Sequence, residues 1–153
     1  MTCPMPQRFA LNGALLQVIA VLDIAADARE VAHARTWITQ RIGEAFVFPG
    51  GVTRDVIDTV ELCASEVITN AIVHGGREQQ DEQVTIILIC APSLIRVEVI
   101  DSGNDPDRTP RVRDVQPDSD TGGRGLEIVS NCAHRWDHYT DAAGRNVWFE
   151  VKC

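Results

Sequence analysis

Apolar residues repeat along the chain with two different periods, and the changes from one to the other mark out its elements. The run Gln17–Ile24 reads as a first strand. After it, Asp27 and Glu30 form a D-x-x-E capping pair, and Val31, Ala34, Ile38, Ile42 and Ala45 recur at helical spacing, which predicts a helix over about Ala28–Ala45. Val47-Phe48-Pro49-Gly50-Gly51 cannot continue it, because proline lacks a donor and paired glycines favour turns. A second helix begins near Thr53. Its Val60, Cys63, Ala64, Val67, Ile68 and Ala71 fall at i, i+3, i+4, i+7, i+8 and i+11, a single core-facing stripe, and His74-Gly75-Gly76 supplies the stop.

The polar loop Arg77–Glu82 leads into two β-branched runs, Gln83–Cys90 and Ile95–Ile100, which predict a hairpin through Ala91-Pro92-Ser93. From Ser102 to Gly123 there is no hydrophobic period, and Pro106, Pro110 and Pro117 interrupt the stretch, so it reads as a long loop of the kind that forms lids. Leu126, Val129, Ala133 and Trp136 at helical spacing predict a short helix opening at Gly125. Asn146–Lys152 alternates as a last strand after an Ala142-Ala143-Gly144 turn. The predicted order is β-α-α-β-β-loop-α-β-β, with no internal repeat.

With 153 residues, 44% of them hydrophobic, the chain can bury one substantial core but not two, so it divides into a short extension over 1–16 and one domain over 17–153. A net charge of -8 opposes the counterion-release attraction that drives nucleic-acid binding, and no lysine or arginine run offsets it. Cys3, Cys63, Cys90, Cys132 and Cys153 have neither CxxC nor Cys/His ligand spacing, and their odd number cannot pair fully within one chain; free thiols in a reducing cytosol are expected. Ala14–Leu22 is apolar after Arg8, but Gln17 interrupts it and Asp23 and Asp27 follow without a small-residue cleavage site, so a signal peptide is not expected. It also falls well short of the ~20 apolar residues of a membrane span.

Three places carry candidate chemistry. Glu66 and Asn70 project from one side of the second helix, with His74 a turn further on, so a carboxylate and an amide oxygen can reach one metal-bound phosphate cluster; a solvated polar face would look the same. Asp101 ends a buried strand before Ser102-Gly103, where a carboxylate can accept a hydrogen bond from an amino group while glycine lets a ring approach the backbone; an ordinary turn has the same signature. Gly122-Gly123-Arg124-Gly125 opens a helix, offering amide donors and a partial positive charge to an anion, or simply a hinge.

Their order along the chain narrows these alternatives. Glu61–Gly75, containing Ser65-Glu66-Val67-Ile68-Thr69-Asn70-Ala71, resembles the N box of the GHKL (Bergerat-fold) ATPases, especially the anti-sigma factor serine-protein kinase branch. Val99-Ile100-Asp101-Ser102-Gly103 resembles the G1 box, and Gly122-Gly123-Arg124-Gly125-Leu126-Glu127-Ile128-Val129 the G2 box; the likeness runs from about Val18 to Val151. It implies an α/β two-layer sandwich, a mixed, mostly antiparallel sheet with its helices on one face, and ATP held under a lid over about 102–123. It further implies Asn70 as the Mg²⁺ ligand, Glu66 as the catalytic base, and Asp101 as acceptor for the adenine amino group. Gly103 would lie against the base, with Gly123, Arg124, Gly125 and Leu126 at the phosphates. The second glycine of a D-x-G-x-G pattern is Asp105 here, and the threonine common in the family's final strand corresponds to Asn146, which can still hydrogen-bond near adenine. His74 stands where the family often has histidine, although a helix C-terminus favours histidine for its dipole alone. Arg35 corresponds to a position from which these kinases contact a partner, while an exposed helical arginine is also simply solvated.

By this resemblance the chain would be a cytoplasmic Mg-ATP-dependent serine/threonine kinase that phosphorylates a STAS-type anti-anti-sigma partner, with a sigma factor and a second copy of the chain as further partners. A nucleotide-dependent binding module without turnover is the alternative, kept open by Asp105. A detached histidine-kinase catalytic domain is a second, against which the missing phospho-acceptor helix and the short lid argue.

Overall fold

The two periods of the sequence become two layers. The computed structural model describes residues 8–11, 14–46, 51–74, 82–101, 124–141 and 144–153. They form β1 (Arg8–Leu11), β2 (Ala14–Ala25), α1 (Glu30–Ala45), α2 (Arg54–His74), β3 (Gln83–Ala91), β4 (Leu94–Asp101), α3 (Arg124–Cys132), β5 (Arg135–Asp141) and β6 (Gly144–Lys152). The strands make one six-stranded sheet in the order β1-β2-β3-β4-β6-β5. Every strand pair among the described residues is antiparallel, so the sheet is not mixed.

Strand parity separates the faces. On β3, Val84, Ile86, Leu88 and Cys90 stand in register with Asp101, Val99, Val97 and Ile95 of β4, and Val99, Val97 and Ile95 in turn with Val147, Phe149 and Val151 of β6. This face meets Ala34, Ile38 and Ile42 of α1, the stripe Val60, Cys63, Ala64, Val67, Ile68 and Ala71 of α2, and Leu126 and Val129 of α3, forming one core. Complete burial of a side chain such as Phe149 stabilises the fold by about 1.5–3 kcal/mol. All six stripe positions expected of the second helix are buried.

The opposite face joins a small apolar cluster of Ile87, Ile89, Ala91 and Leu94 to a set of charges on β4, β5 and β6. Arg96 donates to Glu98 at 2.7 Å and to Glu150 at 3.0 Å, and Arg135 donates to Glu150 at 2.8 Å. The Arg96 guanidinium also lies 3.8 Å over the Trp148 ring, which covers its flat side with apolar surface. Glu150 thus has a cation on each oxygen, which makes burial to 1% exposure tolerable.

Local chemistry sets the element ends. The Asp27 carboxylate accepts the Arg29 backbone N–H at 2.8 Å, so the first helix starts at Glu30, two residues later than its apolar spacing suggests. Thr53 Oγ1 accepts from the Val56 N–H at 3.4 Å and opens α2. Gly51 just before it has a φ of 39°, a region that disfavours side chains with a Cβ.

Two expectations are corrected. The N-terminal segment contributes to the sheet: β2 starts at Ala14, not Gln17, and β1 pairs with it. Trp136 is not helical, because α3 ends at Cys132 and Trp136 pairs with Phe149 from β5. It still reaches the core and donates its indole N–H to Ser130 Oγ at 2.7 Å.

Candidate nucleotide site

Helix α2 packs on α3 and lies across β6 and β4, the strand that ends at Asp101, and its polar flank carries two of the expected site residues. Glu66 and Asn70 are both half-buried on that flank. Glu66 faces the opening turn of α3: a Cβ built on Gly125 would stand 2.8 Å from Glu66 Oε2. Glycine at 125 therefore lets a carboxylate approach the positive end of a helix, where a Cβ would push it aside. Arg124, the first residue of α3, is exposed, whereas Leu126 is buried and anchors the same turn in the core. One turn before Glu66, burial pushes the Cys63 thiol up to about 12, with Cys132 and Glu66 adding like charge. Cys63 is accordingly a neutral core side chain, not a nucleophile.

Asp101 closes β4 on the helix-facing side and is buried. Its register partner on β6 is Arg145, which donates to Asp101 Oδ2 from Nη2 at 2.8 Å and from Nε at 3.1 Å. Sequence reasoning passed over Arg145, although its parity with Val147 and Phe149 places it on the inner face. Asn146 is corrected by the same parity. Expected beside adenine, it instead points to the outer face, where its Nδ2 donates to Tyr139 Oη at 2.8 Å and to Glu98 Oε2 at 3.2 Å. Tyr139 has its phenol raised in pKa by burial, with Glu98 and Asp141 adding to the effect.

Arg35 reaches from α1 to Ser65 Oγ of α2 at 3.5 Å while remaining exposed. His74 is the last residue of α2, and its side chain lies outside the described residues, as do Gly103, Asp105, Gly122, Gly123 and the expected lid over 102–123.

The donor set suits a magnesium nucleotide. Among the described residues no three His, Cys, Asp or Glu side chains gather as a metal cage. Magnesium is ordinarily held by one or two protein oxygens together with substrate phosphates and water, which a carboxylate and an amide oxygen four residues apart can supply. The first turn of α3 at Gly125, opposite Glu66, offers helix N-terminal amide donors of the kind that can hold a phosphate.

The chain is similar to several known proteins. An anti-sigma F factor of Clostridium botulinum is 25% identical over 112 residues, 71% of this chain and 75% of that protein. An anti-sigma F factor of Clostridium acetobutylicum is 29% identical over 83 residues, 52% of this chain and 57% of that one. The histidine kinase domain of a blue-light activated histidine kinase from Erythrobacter litoralis has the same fold, with a TM-score of 0.50 at 19% identity over 84% of this chain and 61% of that one. No helix among the described residues is long and apolar enough to cross a membrane. The family model of the histidine kinase-like ATPase domain matches residues 24–151, from the end of β2 to the end of β6 and so across Glu66, Asn70, Asp101 and Gly125; the chain belongs to that family.

Proposed function

We propose that the chain is a Mg-ATP-dependent serine/threonine protein kinase of the anti-sigma type, whose substrate is a small STAS-type anti-anti-sigma protein in the cytoplasm. The observation that carries this reading is the approach of Glu66 to the first turn of α3 at Gly125. It joins a candidate proton acceptor to a candidate phosphate cradle. The resemblance to anti-sigma F factors supports the regulatory branch, in which a sigma factor and a second copy of the chain are further partners.

In this reading Asn70 would hold the magnesium ion through its amide oxygen, and the N-terminal N–H groups of α3 would bind the phosphates. Asp101 accepts from the base's amino group, with Gly103 against the ring. Glu66 accepts the proton of the acceptor hydroxyl, either directly or through a water molecule. Bound Mg-ATP supplies the transferable phosphoryl group and neutralises its charge, leaving the protein the tasks of positioning and proton removal. Arg124 is exposed beside the cradle, where it can meet phosphate or partner, and Arg35 lies on the α1 surface open to a partner.

Calorimetric titration of ATP with and without Mg²⁺, followed by γ-phosphate transfer to STAS proteins of the same genome, tests the proposal. Mg-dependent binding with phosphoserine or phosphothreonine on one of them is expected. Binding with no transfer to any would return the binding module, and no binding at all would sink both.

A further inference from the structure

We propose that Arg145 sets the purine selectivity of this site by positioning Asp101, an inference that rests on the reading of Asp101 as the base acceptor. The two side chains form an ion pair with only 3% and 7% of their surfaces exposed, at the end of β4 and β6 where the chain departs toward residues 102–123. Apart from this pair, the inner faces of β3, β4 and β6 are apolar from Val84 and Val147 onward. A buried ion pair contributes little to stability compared with a well-packed apolar pair, so stability alone does not account for it.

The geometry says what the pair does. Nε and Nη2 both donate to the same oxygen, Oδ2, so the guanidinium holds the carboxylate to one rotamer. A carboxylate held in this way accepts from a 6-amino purine and repels the oxygen of a 6-oxo purine. Without the guanidinium the carboxylate loses both of these donors and is no longer held in one orientation. A carboxylate that can turn presents a less directional acceptor, so the distinction between the two bases is blurred. Lysine at 145 would restore the charge without the planar fork.

The test compares ATP with inosine triphosphate, which differs in carrying oxygen at position 6, by calorimetric titration of the full chain in the presence of Mg²⁺. Wild type is expected to favour ATP, and Arg145→Met to reduce the ATP-to-inosine-triphosphate affinity ratio by about tenfold or more, the scale of one charged hydrogen bond. Arg145→Lys is expected to regain part of that ratio. If Arg145→Met weakens both nucleotides equally, or Arg145→Lys is as unselective as Arg145→Met, the inference is overturned. Should the methionine variant fail to fold, Arg145→Gln, which keeps a donor for Oδ2 without the charge, is read by the same ratio. Asp101→Asn separates the two levels of argument. A ratio that collapses in Asp101→Asn but not in the Arg145 variants removes only the role of Arg145; a ratio untouched by Asp101→Asn removes the base pocket and this inference with it.

Discussion

The two faces of the sheet bury charge in opposite ways. On the outer face Arg96, Glu98, Glu150 and Arg135 form a chain of ion pairs, in which Arg96 and Glu150 each meet two opposite charges. On the inner face Asp101 and Arg145 pair at the border of an apolar core, beside the helix that carries Glu66 and Asn70. A network that satisfies its own members can cover a sheet face without a ligand, because each charge is compensated within the protein. A pair at the rim of a pocket gives a ligand something to compete for or to complete. Under the proposed function, position relative to the helices, more than the degree of burial, separates structural from functional charge in this fold.

That contrast predicts which changes affect chemistry and which affect stability. Glu66→Gln, on the inner side, is expected to lower phosphoryl transfer by about 10²–10⁴-fold, the usual contribution of a positioned base. ATP affinity and melting temperature should stay near wild type. Transfer at the wild-type rate would remove Glu66 from the base role. Glu150→Ala, on the outer side, should do the reverse. It strands Arg96 and Arg135, and because Arg96 retains Glu98 the cost falls at the lower end of the range for breaking a buried pair, about 3 kcal/mol by urea denaturation. Nucleotide affinity measured on the fraction that remains folded should not change. A Glu150 variant with wild-type stability and impaired ATP binding would invert the comparison.

The same contrast explains how much could be read from the sequence. Periodicity located α2 and its six buried positions, because a 21-residue helix repeats its pattern through several turns. The β3–β4 hairpin was legible for a similar reason, two long apolar runs flanking Pro92-Ser93. β1 was not read, although Asn12-Gly13 between the paired Leu11 and Ala14 is a strong hairpin signal; a four-residue strand has too few positions to display a period. Trp136 continued the helical spacing of Leu126, Val129 and Ala133 by coincidence, since period alone cannot show that a helix has already ended at Cys132. Motif likeness points to Asn146 and passes over Arg145, because it fixes a neighbourhood but not a strand's parity, and a shift of one residue moves a side chain to the other face. The spacing of Glu66 and Asn70 was plain in the sequence, whereas the meeting of Glu66 with Gly125 joins residues far apart along the chain and needs the packing of α2 on α3.

A smaller change on the inner side sharpens the comparison further. In Gly125→Ala the added methyl would fall 2.8 Å from Glu66 Oε2, the far end of a flexible side chain, with Glu66 Cβ at an ordinary 3.6 Å. The carboxylate can swing away, so the fold should tolerate the substitution, and alanine also favours the helix. The displaced base should cost about tenfold in transfer, roughly 1.4 kcal/mol of transition-state stabilisation. Rate and melting temperature measured on the same preparation check the separation. Wild-type transfer would show that the Glu66–Gly125 approach has no part in the chemistry.

The smallest expected effect comes from the same ion-pair chemistry placed in solvent. Asp27 accepts from Arg29 through Nε and Nη2, as Asp101 does from Arg145, but the Arg29 side chain is 89% exposed. The side-chain hydrogen bonds from Arg29, helped by its backbone N–H, pull the Asp27 carboxyl down from 3.8 to about 2. A lowered folded-state pKa gives stability that is present above the unfolded value of 3.8 and fades as pH falls toward about 2. Asp27→Asn should therefore melt slightly below wild type at neutral pH, with the gap closing between those two values and narrowing throughout in high salt. A gap that widens on acidification would reverse the sign of this linkage. A loss as large as that of Glu150→Ala would show that an Asp–Arg pair stabilises this fold regardless of its surroundings, against the distinction drawn between its buried and exposed charges.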